Sequence, residues 1–173
     1  EILLRDWSSD VCSSDLKIVY TVLRKERYIF LRKGEIFMIV MICLDDKGGM
    51  RFHDRRQSQD RILRQRMKEI VKDAKVFMNE TSEKLYQEFQ NRVVCEDFLE
   101  KAGENDYCLV EDQSLLPLEK EIKKIIIFWW NKIYPADMFF DLSLDQWQLV
   151  ETKEFEGSSH QITEEIYIKG ERE

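Results

Sequence analysis

The chain has 173 residues, with 27 Lys and Arg against 34 Asp and Glu and a formal net charge of −7. This acidic balance is not typical of a nucleic-acid-binding protein, because phosphate contacts need local positive charge. The two histidines are isolated, and Cys43, Cys95 and Cys108 lie far apart in apolar stretches, which predicts no metal site and reduced, buried thiols.

Residues 6–16 (Asp-Trp-Ser-Ser-Asp-Val-Cys-Ser-Ser-Asp-Leu) resemble sequencing-adapter DNA read as protein. Translated adapter sequence is not part of the native protein and carries no information about its fold. We therefore expect residues 1–37 to be an artefact, made of the adapter and of upstream DNA read through.

Met38 is the expected native start. Residues 33–38 can be encoded with a GGAG ribosome-binding sequence ahead of a start codon, and residues 38–173 then hold 20 basic and 28 acidic residues. The alternative makes residues 18–31 a real apolar segment or a membrane anchor. That segment is interrupted by four consecutive charged residues, whereas roughly 20 mostly apolar residues are needed to span a bilayer.

The first part of residues 38–173 alternates apolar runs with a helical pattern. Residues 39–44 are continuously apolar, which is typical of a strand buried on both faces, and residues 45–49 (Asp-Asp-Lys-Gly-Gly) predict a turn. A polar loop is expected at residues 51–57. An apolar stripe then predicts a helix that Ser58 can cap, formed by Ile62, Leu63, Met67, Ile70, Val71 and Ala74.

Short apolar runs continue this alternation. Residues 75–78, 92–95 and 107–110 each predict a strand. A short helix capped by Asn79 or Thr81 is expected after the first run, and a helical turn ending at Gly103 is expected before the third.

The pattern changes in the last third of the chain. Residues 115–121 predict a short helix, and residues 125–130, a continuous apolar run, predict a central strand. Alternating residues at 147–155 and 162–168 predict an antiparallel hairpin. Strands that alternate with helices, followed by strands alone, predict a single-domain α/β fold in which helices flank a mixed sheet.

Basic residues are concentrated in residues 51–68. Arginine forks bind phosphate or carboxylate through two hydrogen bonds, so this segment is the candidate site for an anionic small molecule or an RNA phosphate. Arg55, Arg56, Arg61 and Arg64 are the candidate ligand-binding residues. The alternative is a solvated helix face that pairs with acidic neighbours. The full basic set is Arg51, Arg55, Arg56, Arg61, Arg64, Arg66 and Lys68.

Trp129, Trp130 and Trp147 could form a stacking platform for a base or pteridine ring, or they could belong to the core. Adjacent strand residues face opposite sides, so Trp129 and Trp130 cannot share one face. Residues 158–160 (Ser-Ser-His) lack the spacing of a nucleophile triad and predict a hairpin turn.

Residues 135–141 (Pro-Ala-Asp-Met-Phe-Phe-Asp) lead to residues 147–151 (Trp-Gln-Leu-Val-Glu) and then to Glu154 and Phe155. This pattern resembles the end of dihydrofolate reductases, where an Ala-Asp-x-Phe-Phe turn precedes Trp-x-Leu-Val and a final hairpin. Residues 46–50 and 76–81 are similar to the family's first turn and to its strand leading into Met-Gly-Arg-Lys-Thr. The resemblance covers almost all of residues 38–169 in order and implies a dihydrofolate-reductase-like fold for a domain at 38–173.

The chain departs from the family where the coenzyme binds. The resemblance places Glu111 and Asp112 where the family has the Gly-Gly pair of its dinucleotide phosphate site. A carboxylate ~4 Å from a phosphate costs about 4 kcal/mol at an effective dielectric constant of about 20. Glu80 and Thr81 match the family's Arg-Lys pair, which holds the other phosphates. We therefore predict no NADPH binding and no other cofactor.

Asp60 is the nearest match to the family's substrate-binding carboxylate, offset by about one helical turn. It is the one candidate catalytic residue. The alternative is a solvated first-turn residue favoured by the helix dipole. The family's Leu-Pro-Trp before this helix is replaced by residues 55–58 (Arg-Arg-Gln-Ser).

Three functions remain open. The first is a small cytoplasmic bacterial domain, dihydrofolate-reductase-like but non-catalytic, that acts as a binding or accessory module for an anionic ligand. The second is an RNA-acting protein that uses the basic segment. The chain resembles short bacterial proteins that bear the label ribonuclease Z, yet it lacks that enzyme family's His-x-His-x-Asp-His metal motif. The third is a divergent dihydrofolate reductase. We expect no membrane partner, and a protein partner stays open.

Overall fold

A computed structural model of the chain describes residues 37–53, 55–56 and 59–170, so the expectations for residues 1–36 lie outside the described part. Within those ranges the strands are β1 (Met38–Leu44), β2 (Gly49–Phe52), β3 (Arg55–Arg56), β4 (Val76–Met78), β5 (Arg92–Val94), β6 (Tyr107–Val110), β7 (Ile122–Trp129), β8 (Met138–Phe139), β9 (Trp147–Glu156) and β10 (Gln161–Lys169). The α-helices are α1 (Arg61–Val71), α2 (Glu80–Glu83) and α3 (Phe98–Lys101), and 3-10 helices span Leu116–Glu121 and Leu144–Gln146.

Seven strands form one mixed sheet in the order β5-β4-β6-β1-β7-β10-β9. The neighbours from β5 to β7 are parallel, whereas β10 pairs antiparallel with both β7 and β9. A small second sheet has the order β3-β2-β8. The predicted α/β fold with a mixed sheet and a C-terminal hairpin is therefore confirmed.

Strand β1 lies at the centre of the sheet, and all seven of its residues are buried. Its side chains alternate between two apolar clusters, one on each face of the sheet. Met41 and Cys43 belong to the cluster that packs on α1, and Ile42 and Leu44 belong to the opposite cluster. A strand with two buried faces reads as a continuous apolar run, which is why residues 39–44 were predictable.

The tryptophans divide between these two clusters. Trp130 is buried on the α1 side, while Trp147 is buried in the opposite cluster with Trp129 packed against it. The indole Nε1 of Trp129 donates to Glu165 at 2.6 Å. The prediction that Trp129 and Trp130 face opposite sides is confirmed, and the packing favours a core role over a stacking platform.

Two expectations about the segment before α1 are wrong. The predicted polar loop at 51–57 contains paired strands, since β2 pairs with β3 and also with β8. The cap of α1 is Asp60 instead of Ser58, because the Asp60 carboxylate accepts hydrogen bonds from the amides of Ile62 and Leu63. The buried side chains of α1 are Leu63, Met67 and Val71.

Several shorter elements agree with the sequence patterns. Asn79 is the cap of α2, as one of the two predicted alternatives, and α2 ends at Glu83. Residues 158–160 lie in the turn between β9 and β10, as predicted. In the described part of the chain, no helix is long and apolar enough to cross a membrane.

The turn after β1 is organised by Asp45, which is completely buried. One oxygen of its carboxylate accepts from the amides of Lys47 and Gly49 at 2.8 and 2.7 Å. The other oxygen accepts from the amide of Tyr134 at 2.9 Å. A Cβ added at Gly49 would lie 2.6 Å from the Cβ of Ala136 and 3.0 Å from the Asp45 carboxyl group, so the turn requires glycine at this position.

We predict that Gly49→Ala lowers the free energy of unfolding by roughly 1–3 kcal/mol, because the added methyl overpacks the turn. Urea denaturation measures the change. The matched control is Gly170→Ala, whose new Cβ would lie 3.4 Å from the nearest atom. That variant should stay within about 0.5 kcal/mol of the original protein. Equal stability of the two variants would contradict the prediction.

Candidate functional site

The carboxyl ends of the parallel strands β1, β4 and β6 meet at one edge of the sheet. Ligands in open α/β sheets bind at this edge. The residues that follow these three strands here are polar, and they are Asp45, Asn79, Glu111 and Asp112. The acidic pair that the sequence singled out therefore lies where a ligand site is expected.

Glu111 is buried and is surrounded by donors. Its carboxylate accepts from Arg56 Nη1 at 2.7 Å, from Ser82 Oγ at 2.5 Å and from the Tyr86 hydroxyl at 3.3 Å. The side chains of Arg56 and Glu111 are 11% and 5% exposed. This is a largely buried ion pair between β3 and the end of β6, and such a pair is stable only when further hydrogen bonds satisfy both groups.

Asp112 has a similar but more accessible environment. Asn79 Nδ2 donates to the two oxygens of its carboxylate at 2.8 and 3.1 Å, and Arg51 Nη1 lies 3.3 Å from one of them. The orientation of Asn79 is fixed, because its Oδ1 accepts from the amide of Ser82 as the cap of α2. The β2–β3 pair is thus tied to the end of β6 by Arg51 and by Arg56.

The structure separates the four candidate ligand-binding arginines into two groups. Arg56 pairs with Glu111, and Arg64 Nε donates to Glu88 at 2.9 Å. Arg55 and Arg61 are exposed and have no ion-pair partner among the described residues. The alternative interpretation, in which basic residues pair with acidic neighbours, therefore describes two of these four arginines.

Arg66 forms a second buried ion pair, at a distance from the strand ends. Its guanidinium donates to both oxygens of Glu164 at 2.6 and 3.0 Å, and Glu164 on β10 is 1% exposed. Hydrogen bonding to Glu164 raises the pKa of Arg66, which stays charged. This pair holds α1 against the sheet and is structural.

Asp60, the candidate catalytic residue, has both carboxylate oxygens occupied. One accepts from the two amides at the start of α1, and the other accepts from the amide of Ser158 at 2.6 Å. Burial alone would raise the pKa of Asp60, but the hydrogen bonds from Leu63, Ser158 and Ile62 outweigh it and the pKa is lowered. The geometry gives Asp60 the role of a buried cap that joins α1 to the β9–β10 turn, whereas the sequence suggested either a substrate ligand or a solvated residue.

Cys43 lies in the same region as Glu111. Burial raises its pKa well above the usual range for a thiol, and the nearby charges of Glu111 and Asp60 add to the effect. Burial also raises the pKa of Cys108 to about 12. Both residues are neutral thiols near pH 7, so neither is activated as a nucleophile.

His160 is in the β9–β10 turn, where its ring packs on Trp130 with centroids 4.6 Å apart. Burial lowers the pKa of His160, and the charge of Lys132 adds to this effect. The residues described include no cluster of three or more His, Cys, Asp or Glu side chains arranged to hold a metal ion.

The described residues line two small cavities, one beyond the carboxyl ends of β5 and β6 and one beside the amino end of β4. Both fall below the 300–1,000 Å³ that is usual for ligand pockets. The first, of about 210 Å³, is lined by Glu96, Asp97, Leu99, Glu100, Gln113, Ser114, Pro117 and Leu118. The second, of about 120 Å³, is lined by Lys68, Val71, Lys72, Asp73, Ala74, Val76, Phe89, Gln90 and Asn91. Three carboxylates make the first cavity unfavourable for a phosphate group.

Replacement of Asp60 tests its role as a cap. Asp60→Ala should lower the free energy of unfolding at pH 7 by about 1–2 kcal/mol, the usual value of an N-cap, whereas Asp60→Asn keeps an acceptor and should lose less. Because the pKa of Asp60 is lowered in the folded protein, its charge stabilises the fold above pH ~4. The difference between the original protein and Asp60→Asn should therefore shrink as the pH falls through that lowered pKa, and a difference independent of pH between 7 and 2 would contradict this.

The contribution of the buried Arg56–Glu111 pair to stability can be compared with that of an exposed arginine. We predict that Arg56→Gln lowers the free energy of unfolding by roughly 3–5 kcal/mol, because Glu111 is left buried without its cation. Arg61→Gln removes the same charge at an exposed position and should change stability by less than about 0.5 kcal/mol. Guanidinium denaturation of both variants measures the difference, and equal effects would show that the Arg56–Glu111 contact does not hold in solution.

Comparison with known proteins supports the fold. The structure is similar to a dihydrofolate reductase from Enterococcus faecalis complexed with NADP(H) and RAB-propyl, with a TM-score of 0.58 and 11% sequence identity. The match covers 78% of this chain and 97% of that chain. No family model and no curated protein matches the sequence. At this identity the similarity shows the fold alone, and the chain has the dihydrofolate-reductase-like α/β fold that its sequence predicted.

Proposed function

We propose that this chain is a non-catalytic dihydrofolate-reductase-like domain that does not use NADPH and serves as a binding or accessory module for an anionic ligand. The observation that supports the proposal most directly is the donor-bound pair Glu111 and Asp112 at the end of β6. These carboxylates occupy the strand end at which the resemblance places a dinucleotide phosphate.

The electrostatics of this edge support the absence of a coenzyme. The positive charges of Arg51 and Arg56 are already matched by Asp112 and Glu111. A phosphate would have to displace carboxylates that belong to the same chain and therefore have a high effective concentration. Removing Glu111 from its donors would also leave a buried charge unpaired, which is costly.

The candidate acid-base groups support a non-catalytic role. A general acid needs a pKa near the working pH and must be within reach of its substrate. The lowered pKa of Asp60 keeps it ionised at neutral pH, and both of its oxygens are bound to backbone amides. Cys43 and Cys108 have pKa values raised by burial and are not activated.

The anionic ligand is assigned to Arg55 and Arg61. They are exposed, they lie at β3 and at the first residue of α1, and no described carboxylate pairs with either. Arg56 and Arg64, the other two candidates, contribute to the fold through their ion pairs. A cytoplasmic location is part of the same proposal and rests on the acidic composition.

Isothermal titration calorimetry with NADPH tests the proposal that the chain does not use this coenzyme. We expect no heat of binding up to millimolar coenzyme and no reduction of dihydrofolate, with an active dihydrofolate reductase assayed in parallel. Micromolar affinity for NADPH would overturn the proposal and favour a divergent reductase.

A thermal-shift screen with nucleotides, folates and short RNAs tests the proposal that the chain binds an anionic ligand. A ligand at 100 times its dissociation constant stabilises the protein by about 2.7 kcal/mol. The double variant Arg55→Gln/Arg61→Gln should lose this shift. The control Lys72→Gln/Lys75→Gln removes two exposed charges just beyond the other end of α1 and should keep it. A shift retained in the arginine variant contradicts the assignment, and a shift from RNA alone that falls steeply with salt favours the RNA-acting alternative.

A further inference from the structure

Among the residues that the structure describes, five side-chain donors bind two acceptors at the edge of the sheet. The donors, called here the donor cradle, are Arg51, Arg56, Asn79, Ser82 and Tyr86. They come from the β2–β3 pair and from the segment after β4, whereas both acceptors, Glu111 and Asp112, come from the end of β6. The β2–β3 pair is therefore tied to the end of β6 through carboxylate oxygens, and Arg56 Nη2 also donates to the backbone oxygen of Thr81 at 3.0 Å.

This arrangement has the composition of an anion site. Guanidinium, hydroxyl and amide N–H groups are the donors that bind carboxylates and phosphates, and charge-assisted bonds are roughly twice as strong as neutral ones. The cradle around Glu111 is also built into the fold, since Arg56 is 11% exposed and Ser82 is 1% exposed. A donor set this buried is costly unless an anion fills it.

We propose that the donor cradle is an anion site whose resident ligand is the chain's own Glu111 and Asp112, and that a small external carboxylate binds there once a resident carboxylate is removed. The cradle then joins the β2–β3 pair to the sheet through its occupant. This inference is independent of Arg55 and Arg61 and therefore of the ligand in the proposed function.

The reactivity of Cys43 can report on the contact between the β2–β3 pair and the end of β6. Ile42 is in register with Val110, so Cys43 is in step with Glu111, the residue that follows β6. Both residues lie on the α1 side of the sheet, where Cys43 is 5% exposed. When the occupant is lost and the β2–β3 pair separates from β6, the Cys43 thiol should become accessible. Cys108 is buried in the cluster on the opposite face and should stay protected.

Chemical rescue of Glu111→Ala in the full chain tests the proposal. This substitution removes a CH2–COO⁻ group, so acetate is the matching external ligand. Thermal unfolding is followed with potassium acetate replacing KCl at constant ionic strength. We expect the variant to be less stable than the original protein. Acetate at roughly ten times its dissociation constant should then lower the unfolding equilibrium constant about tenfold. Acetate should have no such effect on the original protein, whose cradle is filled.

A matched double variant separates rescue from a general effect of acetate. Arg56→Gln/Glu111→Ala lacks the main cation of the cradle and should not respond to acetate. Labelling with a thiol reagent, resolved for each cysteine by peptide mass spectrometry, should be at least tenfold faster at Cys43 in Glu111→Ala, should slow again with acetate, and should be unchanged at Cys108. No acetate dependence in Glu111→Ala, an equal response of the double variant, or equal acceleration at Cys43 and Cys108 would overturn the inference.

A second variant keeps the test open if Glu111→Ala does not fold. Asp112 is more exposed than Glu111, with 16% of its side chain accessible, so its replacement is better tolerated. Asp112→Ala removes a COO⁻ group, which formate matches in size. Formate should stabilise Asp112→Ala at constant ionic strength and should not stabilise Asp112→Ala/Arg51→Gln. A formate response that is absent, or that persists in the double variant, would equally overturn the proposal.

Discussion

The contact between Arg56 and Glu111 is the constraint on which the carboxyl edge of the sheet depends. Transfer of two charges from water into a protein costs several kcal/mol for each ion, and the attraction between them offsets this only when further hydrogen bonds are made. Ser82 and Tyr86 supply those bonds to Glu111. Strand β6 can therefore end in a buried carboxylate only while the β2–β3 pair stays in place, so the small sheet and the edge of the large sheet form one unit.

Buried carboxylates hold other parts of this edge in the same way. Asp45 joins the turn after β1 to Tyr134, and Asp60 joins α1 to the β9–β10 turn. Each is nearly inaccessible to solvent, and the oxygens of each accept hydrogen bonds from backbone amides. An acidic composition is thus compatible with a stable fold here, because part of the negative charge serves as internal acceptors at positions where loops meet.

The sequence predicts those parts of the fold in which burial requires a local pattern of apolar residues. β1 and the second part of β7, residues 125–129, are continuous apolar runs, and the β9–β10 hairpin alternates, so their types follow from a few residues each. The β2–β3 pair has no such pattern, because Arg51 and Arg56 are held by partners 61 and 55 residues away. The choice of Asp60 over Ser58 as the cap of α1 also depends on a distant partner, the amide of Ser158, 98 residues along the chain.

The chemistry of the candidate site also depends on partners that are distant in the sequence. From sequence, Glu111 and Asp112 are two adjacent negative charges, and the expected effect on a phosphate is repulsion. In the folded protein Arg56 and Arg51 pair with those two carboxylates, so the repulsion expected from them is reduced. The proposed exclusion of a dinucleotide therefore rests on occupancy, since the donors that could bind its phosphates already bind carboxylates tethered in the same chain. The positions of the acidic residues were therefore readable from the sequence, but the way they act depends on which arginines the fold brings to them.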